Sequence, residues 1–264
     1  MNEIKKTPYI WLISGCSSGF GREIALQALS VGDFVGVSSR NLKDVEDICK
    51  KYPKTALPIK LDVTNKDEIE QSIQTINKVF GGLDILVNNA GYGYLAAIEE
   101  GEDEEVRKLF ETNFFGALEL TKAALPGMRA QKFGRIINNS SQAGIMANPG
   151  TGYYSSSKYA LEGLMEALDK ELRPLNISVT SVQPGAFRTD WSGRSMKRSN
   201  VEIDDYSKHV KERIDMISKI DGKQPGDPVR AAKIIFELSR NPNPPDKLLL
   251  GARVLAAYKE KLGA

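Results

Sequence analysis

The sequence predicts an α/β fold in which a seven-stranded parallel sheet carries helices on both faces. Seven short apolar or β-branched runs alternate with helix-length amphipathic segments along the 264 residues. Strands that are buried on both faces and separated by helices are typical of repeated βαβ units. The right-handed crossovers of such units leave few topologies. No linker divides the chain, so we expect a single domain spanning residues 1–264.

Local signals bound the individual elements. Gly81 and Gly82 end one helix, and Asp227-Pro228 begins another as N-cap and first-turn proline. Thr64 and Asp67 resemble a capping box at the start of a third helix. The predicted strands are 9–14, 34–38, 56–63, 85–88, 135–138, 177–182 and 248–251. The predicted helices are 22–30, 66–80, 104–124, 154–172 and 228–240.

One long stretch, residues 187–225, fits neither a strand nor a simple connection. It is rich in arginine, lysine, serine and aspartate around a helical centre. Long irregular connections in enzymes are often mobile lids over a site. We therefore expect a substrate lid here, and a pair of solvated surface helices is the alternative.

The composition excludes several classes of partner. A net charge of +2 with mixed signs along the chain gives no basis for binding nucleic acid or an anionic membrane. No apolar run approaches the roughly 18 residues that span a bilayer. The first apolar run leads directly into a glycine loop, which indicates a strand rather than a signal peptide. With two cysteines, this pattern predicts a cytoplasmic protein.

The single histidine, His209, excludes other chemistries. A zinc site of histidine and cysteine ligands lacks enough partners, so we expect no metal. A Ser-His-Asp hydrolase would need His209, which stands in a charged, helix-like stretch far from any serine in a nucleophile motif. Hydrolysis by acyl transfer is therefore not expected.

A glycine-rich loop follows the first predicted strand and opens the first helix. Its glycines are Gly15, Gly19 and Gly21, in the segment SGCSSGFG. Glycines at such a turn let the backbone approach a pyrophosphate, whose charge is stabilised at the helix N-terminus. The position of the loop therefore predicts a dinucleotide site.

The end of the second predicted strand indicates which dinucleotide binds. Sites for NAD place a carboxylate there, where it accepts from the ribose hydroxyls. Here Ser39 occupies that position and Arg40 follows it. A guanidinium can form a bidentate contact with a 2′-phosphate, and no carboxylate opposes it. The sequence therefore predicts NADP(H), although Arg40 capping a strand end is the alternative.

Tyr154 and Lys158 form the predicted reacting centre. Residues four apart share one face of a helix, so the phenol and the ammonium should be neighbours. A unit charge at roughly 4 Å is worth about 4 kcal/mol at an effective dielectric near 20. We therefore expect Lys158 to lower the pKa of Tyr154 toward the operating pH. The adjacent Tyr153 has Ser157 at the matching position and is not selected.

Together these motifs resemble the short-chain dehydrogenase/reductase family, over residues 9 to 252. The glycine spacing, the segment Asn88-Asn89-Ala90-Gly91 and the Tyr-x-x-x-Lys pair occur in the family's order. The resemblance implies a Rossmann fold. It also implies a serine thirteen residues before the tyrosine, which selects Ser141 over Ser140. The implied catalytic tetrad is Asn113, Ser141, Tyr154 and Lys158.

The resemblance also implies the residues that contact the cofactor. They come from the glycine loop, the ends of the second, third and fourth predicted strands, the tetrad and the segment after the sixth predicted strand. They are Gly15, Ser17, Ser18, Gly19, Phe20, Gly21, Ser39, Arg40, Asn41, Asp62, Val63, Asn89, Ala90, Gly91, Tyr154, Lys158, Pro184, Gly185, Phe187 and Thr189.

The implied activity is hydride transfer between NADP(H) and a carbonyl or alcohol, with Tyr154 as acid/base and Ser141 holding the substrate oxygen. Tyr92, Met146 and Trp191 lie on loops at the strands' carboxyl ends and predict an apolar substrate pocket. The alternatives are a non-catalytic NADP(H)-binding sensor or scaffold, and a dehydratase or epimerase.

The two longest predicted helices resemble those through which family members form dimers and tetramers. The segment 184–196 and the overall run resemble the retinol- and 17β-hydroxysteroid-dehydrogenase-like branch of the family. The sequence leaves the substrate itself open.

Overall fold

A parallel sheet lies at the centre of the computed structural model, which describes residues 8–193 and 195–263. Its strands and those of a smaller sheet are numbered together in chain order. They are β1 (Ile10–Ile13), β2 (Phe34–Ser39), β3 (Ala56–Lys60), β4 (Ile85–Asn88), β5 (Gly93–Leu95), β6 (Gly134–Asn139), β7 (Ile177–Pro184), β8 (Met196–Arg198) and β9 (Lys247–Leu250). The seven-stranded sheet has the order β3-β2-β1-β4-β6-β7-β9, with all neighbours parallel.

This sheet confirms the predicted α/β fold. The third strand ends at Lys60 rather than at Val63, and the chain turns where Asp62 accepts from the backbone N–H of Thr64. The predicted domain spans 1–264, of which residues 1–7, 194 and 264 lie outside the described residues. The assignment of residues 1–264 to a single domain stays a prediction.

The helices connect the strands. They are α1 (Gly19–Ser30), α2 (Glu46–Lys51), α3 (Lys66–Phe80), α4 (Asp103–Phe110), α5 (Gly116–Gln131), α6 (Gly152–Leu172), α7 (Glu212–Lys219), α8 (Pro228–Ser239) and α9 (Ala252–Leu262). Among the described residues, no helix combines the length and apolar character needed to cross a membrane.

The helix predicted over 104–124 was wrong in detail. It is divided into α4 and α5 by a π-helical turn, Glu111–Phe115, and α5 continues to Gln131. Hydrophobic periodicity does not reveal one widened turn. The helix α2 was also not predicted, because only Ile48 of its six residues is buried and no periodic pattern results.

Alternate residues of the strands enter two cores, one on each face of the sheet. Trp11 and Ile13 pack with α1 and α8. Ile10 and Leu12 pack on the other face with α3, α5 and α6. Because successive strand residues point to opposite faces, a strand buried on both sides reads as a continuous apolar run. The two cores hold the strand ends in fixed positions.

The helix boundaries follow local chemistry. Asp227 accepts from the backbone N–H of Val229 and caps α8, and Gly81 ends α3 with φ +88°. The capping box predicted at Thr64 was wrong. Asn65 is the N-cap instead, and its side chain accepts from two backbone N–H groups in the first turn of α3. Asparagine is as effective an N-cap as serine or threonine.

The segment 187–225 has the helical centre that its sequence predicts, in a π-helical turn (Ser207–Lys211) and α7. Its strand β8 pairs in parallel with β5, a small sheet that was not predicted. Two carboxylates bind its backbone: Glu102 accepts from the N–H of Asn200 and Glu100 from that of Ile203. These contacts fasten the middle of the segment to the chain that precedes α4.

Candidate active site

A cleft of about 940 Å³ lies at the carboxyl ends of the parallel strands. Ligands of open α/β sheets bind at this edge. Of the predicted site residues, all but Gly21 and Asn113 line the cleft. The lining set is Gly15, Ser17, Ser18, Gly19, Phe20, Ser39, Arg40, Asn41, Asp62, Val63, Asn89, Ala90, Gly91, Tyr92, Ser141, Met146, Tyr154, Lys158, Pro184, Gly185, Phe187, Thr189 and Trp191.

The glycine loop has the backbone conformation that its glycines allow. Gly15 and Gly19 have φ of +73° and +57°, in the left-handed region that favours glycine. Gly21 lies behind the cleft wall rather than in it. A Cβ atom there would stand 2.3 Å from the carbonyl oxygen of Gly15, so Gly21 permits the close packing of α1 against the loop.

Hydrogen bonds to polar side chains hold this loop in place. The side chain of Asn89 donates to the carbonyl oxygens of Ser14 and Gly15, each at 2.9 Å. The hydroxyl of Ser14 accepts from the backbone N–H groups of Asn89 and Ala90. Ser38, which sequence reasoning missed, accepts from the N–H of Gly15. These bonds leave the N-terminus of α1 facing the cleft, where it can stabilise an anion.

The corner at the end of β2 carries an unpaired positive charge. Ser39 is buried, whereas Arg40 is exposed and forms no ion pair within the described part of the chain. The side chain of Asn41 accepts from the N–H of Lys43 and caps a short 3₁₀-helix. Asp44 also lines the cleft, which the sequence did not predict. The corner therefore offers an exposed guanidinium without a carboxylate at the Ser39 position.

Tyr154 is buried near the start of α6, and Lys158 lies one turn further on. The side chains of Ser141 and Trp191 lie close enough to the phenol oxygen to lower its pKa, and the indole of Trp191 can act there only as a donor. Lys158 Nζ donates to the carbonyl oxygen of Asn139 at 2.9 Å and lies 5.9 Å from the centre of the Tyr154 ring. Ser141 and Trp191 thus lie at the phenol oxygen of Tyr154, and Lys158 lies near the ring.

The pKa of Tyr154 differs from the sequence-based expectation. Burial raises it to about 12, while the hydrogen bonds from Ser141 and Trp191 act to lower it. Burial also lowers the pKa of Lys158 to about 8, and Glu162 opposes that change. The expectation that Lys158 lowers the pKa of the phenol was wrong, because removal from water dominates and Lys158 is not among the groups that lower it. The phenol is therefore protonated at neutral pH.

Lys158 should change the pH dependence of stability in a defined direction. Its pKa is about 8 when folded and about 10.4 in an unfolded chain. Between these values the unfolded chain binds more protons at this group, so its contribution to stability rises with pH. Urea unfolding of the wild type and Lys158→Met at several pH values should show the wild type gaining stability relative to the variant. A constant difference would contradict the shift.

Asn113 lies in the π-helical turn and beneath the cleft rather than in its wall. Its side chain donates to the carbonyl oxygen of Tyr92 at 2.9 Å and accepts from the Tyr92 N–H at 3.0 Å. A Cβ atom on Gly91 would lie 3.0 Å from Asn113 Oδ1 and 3.7 Å from Lys158 Nζ. Asn113 therefore fixes the chain between β4 and β5 beside Lys158.

The start of the segment 187–225 closes over the site. The rings of Trp191 and Tyr154 are 5.2 Å apart and tilted by 52°. Phe187 packs edge-on against Phe20 of the glycine loop, with ring centres 5.2 Å apart. The sequence placed Trp191 near the substrate, but nothing in it indicated that the indole would pack against the phenol and lower its pKa. That contact depends on how the loop after β7 folds back.

A Rossmann sheet that places a buried tyrosine and lysine beside a glycine loop is typical of an oxidoreductase with a nicotinamide cofactor. A sequence model of the short chain dehydrogenase family matches residues 10–200. The chain therefore belongs to the short-chain dehydrogenase/reductase family, as its motifs predict. It is an enzyme that transfers hydride between a nicotinamide cofactor and a small molecule.

Two curated relatives agree with this membership. The chain is 37% identical over 252 residues to 3-ketodihydrosphingosine reductase of Bacteroides thetaiotaomicron, covering 95% of this chain and 91% of that protein. It is 36% identical over 194 residues to human retinol dehydrogenase 8, covering 71% and 61% of the two chains.

Two solved structures resemble it over almost all of its length. A short-chain dehydrogenase from Streptomyces avermitilis has a TM-score of 0.91 and 37% identity, covering 97% of this chain and 93% of its own. ElxO with NADP bound has a TM-score of 0.78 and 27% identity, covering 95% and 100%.

Proposed function

We propose that the enzyme reduces a ketone or aldehyde with NADPH, or oxidises the corresponding alcohol with NADP⁺, using Tyr154 as acid/base. The observation that carries the proposal is the buried phenol of Tyr154, which lies beside Ser141 and one helical turn from Lys158. No observation favours the non-catalytic sensor or scaffold. A screen of aldehydes, ketones, steroids and sugars with NADPH and NADH in parallel, followed by cofactor absorbance, tests the proposal.

The residues at the strand ends fit a dinucleotide phosphate. The left-handed glycines and the close packing at Gly21 leave a concave backbone surface at the N-terminus of α1, which suits a pyrophosphate. Arg40 would hold a 2′-phosphate, and Lys158 would hold ribose hydroxyls. The bound cofactor supplies the hydride, and the protein supplies position and charge.

The side chains of this protein account for the proton in the reaction. Because burial keeps Tyr154 protonated, its hydroxyl can donate to a carbonyl oxygen as that oxygen gains negative charge. Ser141 donates to the same oxygen and holds it beside the phenol. Lys158 is fixed by the Asn139 carbonyl and keeps a positive charge near the reacting atoms at neutral pH. Asn113 positions the chain between β4 and β5, which lies beside Lys158.

Arg40 should determine the preference for NADP(H). We expect Arg40→Asp to lower kcat/KM for NADPH roughly tenfold or more, because a charge-assisted hydrogen bond is replaced by repulsion. Activity with NADH should be retained or increased. Steady-state kinetics with both cofactors measure the ratio. Lys43→Ser is the matched control, since Lys43 is an exposed cation of the same loop outside the cleft. An unchanged ratio in Arg40→Asp would refute the assignment.

The proposal also covers the lid with the pocket beneath it, the class of substrate and the location of the enzyme. The lid is the segment 187–225, and the pocket that it closes is apolar, lined by Met146, Trp191 and Ile217. The names of the two relatives support a carbonyl or alcohol substrate for this chain. A cytoplasmic location fits Cys16 and Cys49, which are both free thiols.

We also propose a homodimer or homotetramer formed through α4, α5 and α6. This region exposes Phe115, at 43%, and Tyr159, at 37%. Sedimentation analysis measures the assembly state.

A further inference from the structure

One face of α7 points into the cleft and carries a single cation among apolar side chains. Arg213, Ile217 and Ile220 all line the cleft, and their spacing of four and three residues places them on one helix face. The helix lies beside the loop that leads to Tyr154. Its Ile214 side chain is so near Gly150 that a Cβ atom on that glycine would stand 2.9 Å from it. Arg213 is thus at the substrate end of the cleft.

Arg213 has no counterion within the described residues. Its side chain is half-buried, and its Nε is buried without a hydrogen-bond partner. The nearby carboxylates are engaged elsewhere: Asp215 pairs with Arg198 at 3.2 Å, and Asp190, which also lines the cleft, has a partner. A partly buried guanidinium without a partner loses hydration that an acidic ligand would replace.

We infer that Arg213 binds an acidic group of the substrate, at a distance from the carbonyl that Tyr154 protonates. The substrate class is then a keto compound with an oxyanion, such as a carboxylate, sulfonate or phosphate, and an apolar portion. The apolar portion packs against the cleft-lining side chains of Trp191, Met146 and Ile217. The guanidinium provides a planar fork of donors that matches such oxyanions. This inference rests on the proposed function of the same site.

Turnover of matched substrates tests the inference. Linear keto acids that differ in the position of the ketone are compared with their uncharged methyl esters, using NADPH. For the wild type we expect kcat/KM to favour the best acid over its ester roughly tenfold or more. In Arg213→Gln the preference should disappear through a higher KM for the acid, while kinetics with the ester stay unchanged. Arg213→Lys should retain part of the preference.

Lys219→Gln is the matched control, because it removes one exposed charge of the same helix outside the cleft. It should keep the preference of the wild type. An Arg213→Gln protein that discriminates acid from ester as the wild type does would overturn the inference. A wild type that reduces acid and ester equally well would also overturn it.

A binding measurement separates this inference from the proposed function. The sequence has two tryptophans, and only Trp191 lines the cleft, whereas Trp11 is buried in the core. Titration with decanoate, decanesulfonate, decyl phosphate or decan-1-ol, followed by tryptophan fluorescence, reports occupancy without turnover. Tighter binding of an acid than of the alcohol, lost in Arg213→Gln, supports the inference even if no ketone is reduced. Equal binding by both proteins contradicts it.

Discussion

Tyr154→Phe should lower turnover of any substrate by roughly a thousandfold, since a positioned general acid contributes about 10²–10⁴ to the rate. The substitution removes only the hydroxyl, which lies beside Ser141 and Trp191. The ring can keep its place in the buried site at the start of α6. Binding of NADPH should be nearly unchanged, because the glycine loop and Arg40 remain.

The measurement combines steady-state kinetics with a fluorescence titration of NADPH. Tyr153→Phe is the matched control: the neighbouring hydroxyl donates to the carbonyl oxygen of Ile98 and has no contact with Ser141. That variant should lose little activity. If Tyr154→Phe kept ordinary turnover, the phenol would not be the acid/base. If it lost NADPH binding as well, the hydroxyl would serve the cofactor rather than the chemistry.

Gly21→Ala should disrupt the cofactor site. The added methyl group would lie 2.3 Å from the carbonyl oxygen of Gly15 and 2.4 Å from Asn89 Nδ2. The backbone of Gly15 cannot move aside as a flexible side chain can, so the glycine loop must move away from Asn89. We expect a loss of stability of roughly 1–3 kcal/mol, the usual cost of overpacking. Affinity for NADPH should fall as well, because the displaced loop no longer has the same concave surface.

The same substitution at Gly127 provides the comparison. Gly127 is an exposed position of α5, and nothing lies within 4 Å of a Cβ atom there. Alanine is the better helix former, so Gly127→Ala should stabilise the protein by about 0.5–1 kcal/mol. Urea unfolding and NADPH titration on both variants separate a local effect at the loop from a general effect of the substitution. Similar results for the two variants would contradict the packing argument.

Most of the fold could be predicted from the sequence, because the signals for strands, turns and helix ends are local. The strand ends, the glycine loop and the pair Tyr154 and Lys158 depend on spacings of a few residues, which backbone geometry turns into positions. The pKa of Tyr154 could not be obtained this way. It depends on burial beneath Trp191, which is distant along the chain, and burial outweighs the single charge that the spacing revealed.

Contacts between distant segments were likewise missed. The carboxylates of Glu100 and Glu102 look like surface charges in the sequence, yet they accept from backbone N–H groups about a hundred residues later. The partnerless Nε of Arg213 is also visible only in three dimensions. In each case the chemistry is set by how segments distant along the chain surround the side chain, and a one-dimensional pattern does not record that.

The π-helical turn between α4 and α5 also affects how the chain can be aligned and edited. It adds one residue to a single turn, so every side chain before it is rotated by about 100° relative to an unbroken helix. A relative with a regular helix here aligns with this chain only across a one-residue gap. Deleting one residue between Glu111 and Phe115 would straighten the helix and turn Asn113 away from Tyr92. A change of length in this stretch should therefore disturb the site more than a substitution at its exposed positions, Glu111 and Phe115.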